Sequence, residues 1–279
     1  MSSMKECKQR AWNPPDPDAP LRRRRRRLTV AFNLAAISIV VIAGTAIAYP
    51  RTEYDKRGCV VDRLPSRAVF HIIDQTDPFT EDQLALFSAS VQHHKEMLDA
   101  GDLFSLFSLQ RNADGRPLTE NFNRCRPLRG NDVCIWIDNP EKREKAYQAQ
   151  FVEPLKSALE LALKSGKSDT TPLLEALHAI AQDPAFENGG QGRTIVLYTD
   201  GLQKSKLASF FKPGYSYEEL EQQKTVYLSG LYERFAGACV EMYITSYNYR
   251  QQTHWPEIET FWKDYWKATG VNCLTFKRI

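Results

Sequence analysis

The sequence predicts an α/β fold: a doubly wound, mostly parallel sheet with helices on both faces, preceded by one transmembrane helix. Three observations support this. Short apolar runs alternate with amphipathic segments from residue 68 onward, polar turns directly follow several of these runs, and one long uncharged segment lies near the N-terminus. Strands that alternate with helices pair in parallel through right-handed crossovers. The 279 residues are 42% hydrophobic and 25% charged, which excludes a disordered, collagen-like or polytopic membrane protein.

The N-terminal region combines a basic segment with an uncharged one. Residues 1–27 hold nine Lys or Arg against three Asp or Glu, a net charge of +6, and since the whole chain carries +3 the remainder carries −3. Residues 28–49 contain no charge. At about 1.5 Å per residue they span roughly 33 Å, close to the thickness of a bilayer's hydrocarbon core. The six arginines before them predict a single-pass inner-membrane anchor, with residues 1–27 as a cytoplasmic tail.

Three other interpretations of this region compete with the anchor. A cleaved signal peptide would have a shorter apolar core nearer the start of the chain, although the small residues of IAGTAIAYP keep this alternative open. The arginine run could bind nucleic acid, but beside an apolar segment it more often sets orientation, so no nucleic-acid partner is expected. A buried soluble helix is disfavoured by the length of the uncharged segment.

Residues 67–279 are then expected to form an extracytoplasmic domain on a stalk at residues 50–66. Cys7 lies in the tail, and the domain side holds Cys59, Cys125, Cys134, Cys239 and Cys273. In an oxidising compartment five cysteines form at most two disulfides, and the remaining thiol stays free or pairs between chains. Cys125 and Cys134 flank a polar, arginine-rich stretch, so a bridge between them would fix a loop. The absence of N-x-S/T sequons favours a bacterial envelope.

The periodicities predict the elements in order. Residues 68–73 (AVFHII) predict a strand buried on both faces, and Thr80 with Gln83 forms a capping box for a helix that ends near Ala100. Residues 103–109 predict a second strand, and residues 110–140 an irregular excursion with a short edge strand at 133–137. Further helices are predicted at 151–164, 172–182, 216–235 and 256–268, and further strands at 194–198, 239–245 and 271–276.

Several histidines and tryptophans are interpreted as structural. His71 lies within a predicted buried strand and is expected to be a hydrogen-bonded core histidine. Of His93 and His94, which are adjacent on a predicted helix, one must face away from the core. The aromatic stripe of Trp255, Trp262 and Trp266, preceded by His254, is expected to pack in the core.

Three polar segments are candidate binding elements. In an open parallel sheet, ligands bind beyond the carboxyl ends of the strands, where the connections diverge. DQTDPFT (74–80) follows the first predicted strand, TDG (199–201) follows a later one, and DTTP (169–172) opens a helix. Carboxylates and a threonine that meet there would offer hard oxygen ligands to Mg²⁺ or Mn²⁺. No GxSxG, P-loop, HExxH or kinase motif occurs, and no catalytic residue is assigned.

This arrangement resembles a von Willebrand factor type A domain over residues 68–276. That family places an Asp-x-Ser-x-Ser turn after its first strand, a threonine before a later helix and an aspartate after its fourth strand. Here TPLLEAL (171–177) is similar to the family's threonine segment, and TIVLYTDG (194–201) to its fourth-strand segment. The resemblance implies a divalent-metal site whose ligands are Asp74, Thr76, Thr171 and Asp200.

The sequence departs from that family at the second hydroxyl of the turn. The position is Pro78, which has no side-chain ligand atom, so the metal site is expected to be degenerate. Asp77 or Thr80 is a possible substitute. The alternative is a metal-free fold in which Asp74 and Asp200 accept hydrogen bonds from backbone amides.

The expected function is that of a membrane-anchored, extracytoplasmic binding or scaffolding module. It would engage envelope or membrane proteins, or other copies of itself, at the strand-end surface, with or without a divalent metal. One alternative is a metal-assisted phosphoesterase that uses Asp74 and Asp200 as metal ligands. Another is a sensing domain whose cytoplasmic arginine tail contacts anionic lipid or a partner.

Overall fold

In a computed structural model the chain divides into two compact units, Met1–Thr52 and Glu53–Ile279. The structure describes residues 19–48, 54–61, 63–75, 78–109, 115–136, 138–164, 170–187, 192–211, 215–223, 230–245 and 255–279.

In the first unit the described residues form one helix, α1 (Ala19–Ala48). Its side chains are described from Arg22 to Val40, and all of them are exposed. Among the described residues, no helix combines the length and the apolar character needed to cross a membrane. Part of the predicted span at 28–49 lies outside the described residues, namely the side chains of residues 41–48 and the whole of Tyr49.

The second unit is built on a six-stranded sheet with the strand order β3-β2-β1-β4-β5-β6. Its strands are β1 (Arg67–Asp74), β2 (Leu103–Leu109), β3 (Leu118–Cys125), β4 (Gly192–Thr199), β5 (Cys239–Ile244) and β6 (Cys273–Arg278). β3 runs antiparallel to β2, and every other neighbouring pair is parallel. The predicted α/β fold with a mostly parallel sheet is therefore confirmed.

Helices cover both faces of this sheet. They are α2 (Glu81–Met97), α3 (Pro140–Tyr147), α4 (Glu153–Ala162), α5 (Leu173–Ala181), α6 (Pro184–Glu187), α7 (Tyr217–Gln223), α8 (Leu231–Phe235) and α9 (Trp255–Ala268). Phe70 and Ile72 of β1 belong to a core cluster with α5 and α9, while Val69 and Ile73 belong to a second cluster with α2 and α4. Because side chains alternate along a strand, β1 contributes to both cores.

The aromatic residues of α9 form much of the first core. Trp262 and Trp266 are fully buried and stack with their ring centroids 6.2 Å apart, and Phe235 of α8 packs edge-on against Trp266. The prediction that the tryptophan stripe is core packing is confirmed for these two residues. Trp255 is only partly buried, and His254 lies outside the described residues.

The capping box predicted for α2 is confirmed. Thr80 Oγ1 accepts a hydrogen bond from the Gln83 amide, and Gln83 Oε1 accepts one from the Thr80 amide. The Gln83 side chain also donates to the carbonyl oxygen of Ile279, 3.2 Å away. The N-terminus of α2 is thus linked directly to the last residue of the chain.

One predicted strand was wrong, and one predicted helix begins earlier than expected. The described residues 133–136 form no edge strand. The edge strand beside β2 is β3, whose mixed sequence LTENFNRC is only partly buried, since buried side chains are interspersed with more exposed ones along it. The helix predicted at 151–164 begins earlier, at Pro140, where Asn139 Oδ1 accepts a hydrogen bond from the Lys142 amide. Between α3 and α4 the chain continues as a π-helix, Gln148–Val152. The described parts of 216–235 form α7 and α8, and residues 224–229 between them lie outside the described residues.

The disulfide considered between Cys125 and Cys134 was also wrong. Cys59 pairs with Cys125 and Cys239 with Cys273, which leaves Cys134 free and exposed. The main chain explains the first pair, because the Cys125 amide donates to the carbonyl of Arg57 and brings the turn that carries Cys59 onto the end of β3. In the second pair, Cys239 and Cys273 lie opposite one another on β5 and β6.

Loss of the Cys59–Cys125 disulfide is expected to destabilise the domain, because this bond closes a loop across 66 positions. We expect the double substitution Cys59→Ser with Cys125→Ser to lower the free energy of unfolding by about 2–5 kcal/mol, measured by urea denaturation. Cys134→Ser is the control and should leave stability unchanged. Peptide mapping without reductant should recover both cross-linked peptides and alkylate Cys134, whereas a Cys125–Cys134 peptide would contradict the structure.

Candidate functional site

The candidate site lies where the strand order of the sheet reverses. β1 and β4 are adjacent, and the order continues to β2 on one side and to β5 on the other. Such a switch point leaves a crevice beyond the carboxyl ends of the strands, which is where ligands bind in open α/β sheets. β1 ends at Asp74 and β4 ends at Thr199, followed by Asp200 and Gly201. We refer to these four residues as the β1–β4 edge.

Asp74 and Thr199 connect the ends of the two strands. The Asp74 side chain is buried, and its Oδ2 accepts a hydrogen bond of 2.8 Å from the Thr199 hydroxyl. Thr199 Oγ1 in turn accepts a hydrogen bond of 3.0 Å from the Gly201 amide. A buried polar group is costly unless it is hydrogen bonded, so this chain of donors stabilises the side chain of Asp74 at the edge.

Asp200 and Gly201 form a tight turn directly after β4. Asp200 is partly exposed, and its Oδ1 accepts a hydrogen bond of 2.8 Å from the Leu202 amide. Gly201 has φ of +77°, a conformation that a residue with a Cβ rarely adopts. Its carbonyl accepts a 2.9 Å hydrogen bond from the buried indole of Trp262. The turn that carries Asp200 is therefore attached to the core of α9.

The segment TPLLEAL (171–177) is hydrogen bonded to the residues that follow this turn. The amide and carbonyl of Thr171 each form a 2.9 Å hydrogen bond with the main chain of Lys204. The fully buried Gln203 contributes a further link, because its Oε1 accepts from the Leu174 amide and its Nε2 donates to Glu175. Main-chain pairing thus holds the start of α5 against residues 203–204.

The structure brings three of the predicted ligands into connected segments but does not complete a metal centre. Asp74, Asp200 and Thr171 belong to the hydrogen-bonded network just described, whereas Thr76 and Asp77 lie outside the described residues. Within the described ranges, no three His, Cys, Asp or Glu side chains are grouped as metal ligands would be. Two carboxylates and a threonine hydroxyl would supply part of the six oxygen ligands of Mg²⁺, which usually keeps several waters. The assignment of Asp74, Thr76, Thr171 and Asp200 as ligands stays a prediction.

Sequence reasoning missed the polar side chains that hold the edge in place. Thr199 and Gln75 lie in the candidate segments but were assigned no role, and Gln203 was not considered, yet all three are buried. Gln75 donates to the carbonyl of Ala162 at 2.6 Å and so attaches the chain after β1 to the end of α4. The available signal was position, since each residue lies at or just beyond the end of an apolar run, where a buried polar side chain needs a structural partner.

A second polar group lies within the core on the α2 side of the sheet. His71 is fully buried, and in the described structure neither of its ring nitrogens has a hydrogen-bond partner. The expectation of a hydrogen-bonded histidine was wrong; instead the ring stacks on Phe104, with centroids 5.0 Å apart. Burial, and to a lesser degree the neighbouring His94, lowers the pKa of His71 well below its ordinary value, so this imidazole is neutral.

His94 differs from His71 because it has polar partners. Its Nε2 lies 3.3 Å from Glu241 Oε1, and the Tyr243 hydroxyl donates to Glu241 Oε2 at 2.9 Å. The hydrogen bond with His94 lowers the pKa of Glu241 below its ordinary value; burial opposes this change, and the hydrogen bond from Tyr243 adds to it. His93 is exposed, as expected for one member of the adjacent pair.

Comparison with known proteins adds little to this geometry. No protein-family model matches the sequence, and no curated protein matches it. Among solved structures, the crystal structure of the human COPII-coat protein Sec24c is similar at a TM-score of 0.36 and 10% sequence identity. The match covers 82% of this chain and 34% of that chain, so the protein spans about a third of the structure that it matches.

Removal of the Thr199 hydroxyl is expected to weaken the β1–β4 edge. Thr199→Val keeps the shape of the side chain but deprives Asp74 of a donor and the Gly201 amide of its acceptor. We expect the free energy of unfolding to fall by about 2 kcal/mol, measured by urea denaturation. Thr275→Val, on the exposed side of β6, is the matched control. Equal stability of the two variants would show that this hydrogen bond does not support the edge.

His71 is expected to make stability decrease with acidity. Its pKa in the folded state is lowered, so below about pH 6.5 the unfolded chain binds a proton that the folded chain does not. Stability should therefore be full above that pH and fall by up to about 1.4 kcal/mol per pH unit as the pH decreases. In urea denaturation at pH 7.5 and 5.5, His71→Leu should lose less stability than the wild type, and His93→Gln should behave like the wild type. The same pH dependence in His71→Leu would contradict this account.

Proposed function

We propose that this protein is a membrane-anchored, extracytoplasmic binding module that engages a protein partner at the β1–β4 edge. The observation that carries the proposal is the hydrogen-bonded placement of Asp74, Thr199 and Asp200 at the switch point of the sheet. Ligands of open α/β sheets bind at such a point, and a partly exposed carboxylate on a fixed turn suits recognition of a cationic or hydrogen-bonding group of a partner.

The proposed location rests on the sequence and on the disulfides. Residues 28–49 are uncharged and follow six arginines, a pattern that favours an N-inside membrane span. The described apolar side chains of α1, among them Phe32 and Val40, are exposed, as lipid-facing residues of an isolated helix would be. Two disulfides in the second unit favour an oxidising compartment, and therefore a domain on the outer side of an inner membrane.

The kinship that we propose is with von Willebrand factor type A domains carrying a degenerate metal site. It is supported by the strand order, by the single antiparallel edge strand in the described sheet, and by the meeting of the TIVLYTDG segment with the end of β1. Mg²⁺ or Mn²⁺ remains part of the proposal only as an aid to partner binding. The contacts at the edge do not require it, because Asp74 and Asp200 already accept hydrogen bonds from the protein.

Asp200→Asn is the most informative substitution at the edge. The amide oxygen of asparagine can still accept from the Leu202 amide, so the turn is retained while the negative charge is removed. Asp264→Asn on α9 makes the same charge change away from the edge. In cells of the native host, a membrane-impermeant amine cross-linker should capture one partner with the wild type and with Asp264→Asn. Capture by Asp200→Asn should be about tenfold lower, because a charge-assisted contact has been lost.

Three results would count against parts of the proposal. Undiminished capture by Asp200→Asn would place the partner elsewhere on the domain. Capture only with a membrane-permeant reagent would contradict the extracytoplasmic location. Hydrolysis of a generic phosphoester that is lost in Asp200→Asn would favour the phosphoesterase alternative. Repetition of the capture with EDTA, followed by Mg²⁺ or Mn²⁺, determines whether the interaction uses a metal.

A further inference from the structure

A cavity lies at the opposite edge of the sheet, and four of the side chains that line it are basic. It has a volume of about 330 Å³, and its walls include Lys56, Arg57, Arg124 and Arg143. Cys125, also in its wall, pairs with Leu103 at the start of β2, whereas Asp74 pairs with Leu109 at the end of that strand. The basic cavity is therefore distinct from the β1–β4 edge.

The wall that carries Lys56 and Arg57 is fixed before any ligand binds. Asp55 Oδ1 accepts 2.8 Å hydrogen bonds from the amides of Arg57 and Cys59, and the Arg57 carbonyl accepts from the Cys125 amide. The disulfide between Cys59 and Cys125 closes the same turn against β3. A wall held in this way loses little conformational entropy on binding.

The acidic residue in the wall, Asp55, already accepts hydrogen bonds within the turn. Asp55 Oδ2 accepts a hydrogen bond from Arg57 Nε at 3.3 Å, in addition to the two amides on Oδ1. Burial raises the pKa of Asp55, but these hydrogen bonds outweigh burial and lower the pKa, so the group is a carboxylate that serves the turn. Its negative charge therefore balances the charge of Arg57. It does not neutralise the other basic side chains of the cavity, Lys56, Arg124 and Arg143.

Three cationic side chains then approach the cavity from three separate segments. Lys56 comes from the turn, Arg124 from β3 and Arg143 from α3. No acidic side chain of the described residues forms an ion pair with Lys56 or Arg124; Arg124 donates through Nη1 to the carbonyl of Gln150. Arg143 pairs with Asp138 through Nε, which leaves its two Nη groups available. With Asp138 included, four cations still face two anions.

We propose that this basic cavity binds the phosphate group of an organic phosphate ester. Donors that converge from three directions match the several oxygens of a tetrahedral phosphate, and guanidinium groups bind phosphate oxygens in pairs. The volume lies at the lower end of small-molecule sites, so there is space for the group esterified to the phosphate. A soluble phosphate ester and a lipid headgroup share this chemistry. The lipid is a natural source to test because Tyr54, in the cavity wall, follows the predicted span by five positions in the sequence.

The test measures the acylation of Lys56 in the full-length protein, reconstituted in nanodiscs of neutral phosphatidylcholine. At constant ionic strength, added glycerol 3-phosphate should slow acylation of Lys56 about tenfold at saturation, because the bound phosphate occupies its ammonium group. Lys267, exposed at the end of α9, is the internal control and should react at an unchanged rate. In a second arm, nanodiscs that contain phosphatidylglycerol replace the soluble ester.

Variants on α3 separate specific binding from general attraction of anions. Arg143→Gln should raise the concentration of glycerol 3-phosphate needed for half-protection about tenfold, since one charge-assisted contact is lost. Lys142→Gln removes a neighbouring exposed cation outside the cavity and should leave that concentration unchanged. Protection by the soluble ester, by the lipid or by both supports the proposal and identifies the source. Equal protection of Lys56 and Lys267, equal effects of the two variants, or no protection in either arm would overturn it, whatever the fate of the proposed partner site.

Discussion

The rest of the candidate site depends on the buried carboxylate of Asp74. At 4% exposure the carboxyl oxygens of Asp74 need hydrogen-bond donors held in place around them, and the Thr199 hydroxyl is one such donor. Thr199 is oriented by the Gly201 amide, and the carbonyl of Gly201 is held by the indole of Trp262. A hydrogen-bonded chain therefore runs from the end of β1 through the turn after β4 to the core beneath α9, and it positions Asp200 at the same time.

The two ends of the sheet differ in chemistry because different constraints hold them. At the carboxyl ends of the parallel strands, side-chain hydrogen bonds from Thr199 and Gln203 fix turns that carry carboxylates. At the amino-terminal edge, a disulfide and the Asp55 turn fix a wall that carries basic groups. The two candidate sites share no residue, so the two proposed ligands would not compete for the same side chains.

Several parts of the fold were predictable because the pattern that specifies them is local or their burial is high. β1, β2 and β4 read as apolar runs because helices cover both of their faces, and the capping box of α2 is a local pattern that needs no tertiary information. β3 was missed because LTENFNRC is only partly buried and carries polar residues at most of the positions between its buried ones. The disulfide partner of Cys125 depends on where the turn near Cys59 packs, which no local pattern encodes. At the site, Asp74 and Asp200 could be found from their place after strands, but the role of Thr199 follows only from the pairing of β1 with β4.

Both candidate sites are anchored to the core before a ligand arrives, and this favours recognition with little rearrangement. Gly201 is held by Trp262, and the turn at Asp55 is held by main-chain hydrogen bonds and a disulfide. Sites that are ordered in advance keep more of their contact energy as affinity, because less of it is offset by the entropy of ordering. The same constraint separates two kinds of substitution. Asp200 and Lys56 have side chains that reach solvent, so changes there are expected to affect the proposed binding, whereas Thr199 and Cys59 are buried and changes there are expected to affect the scaffold.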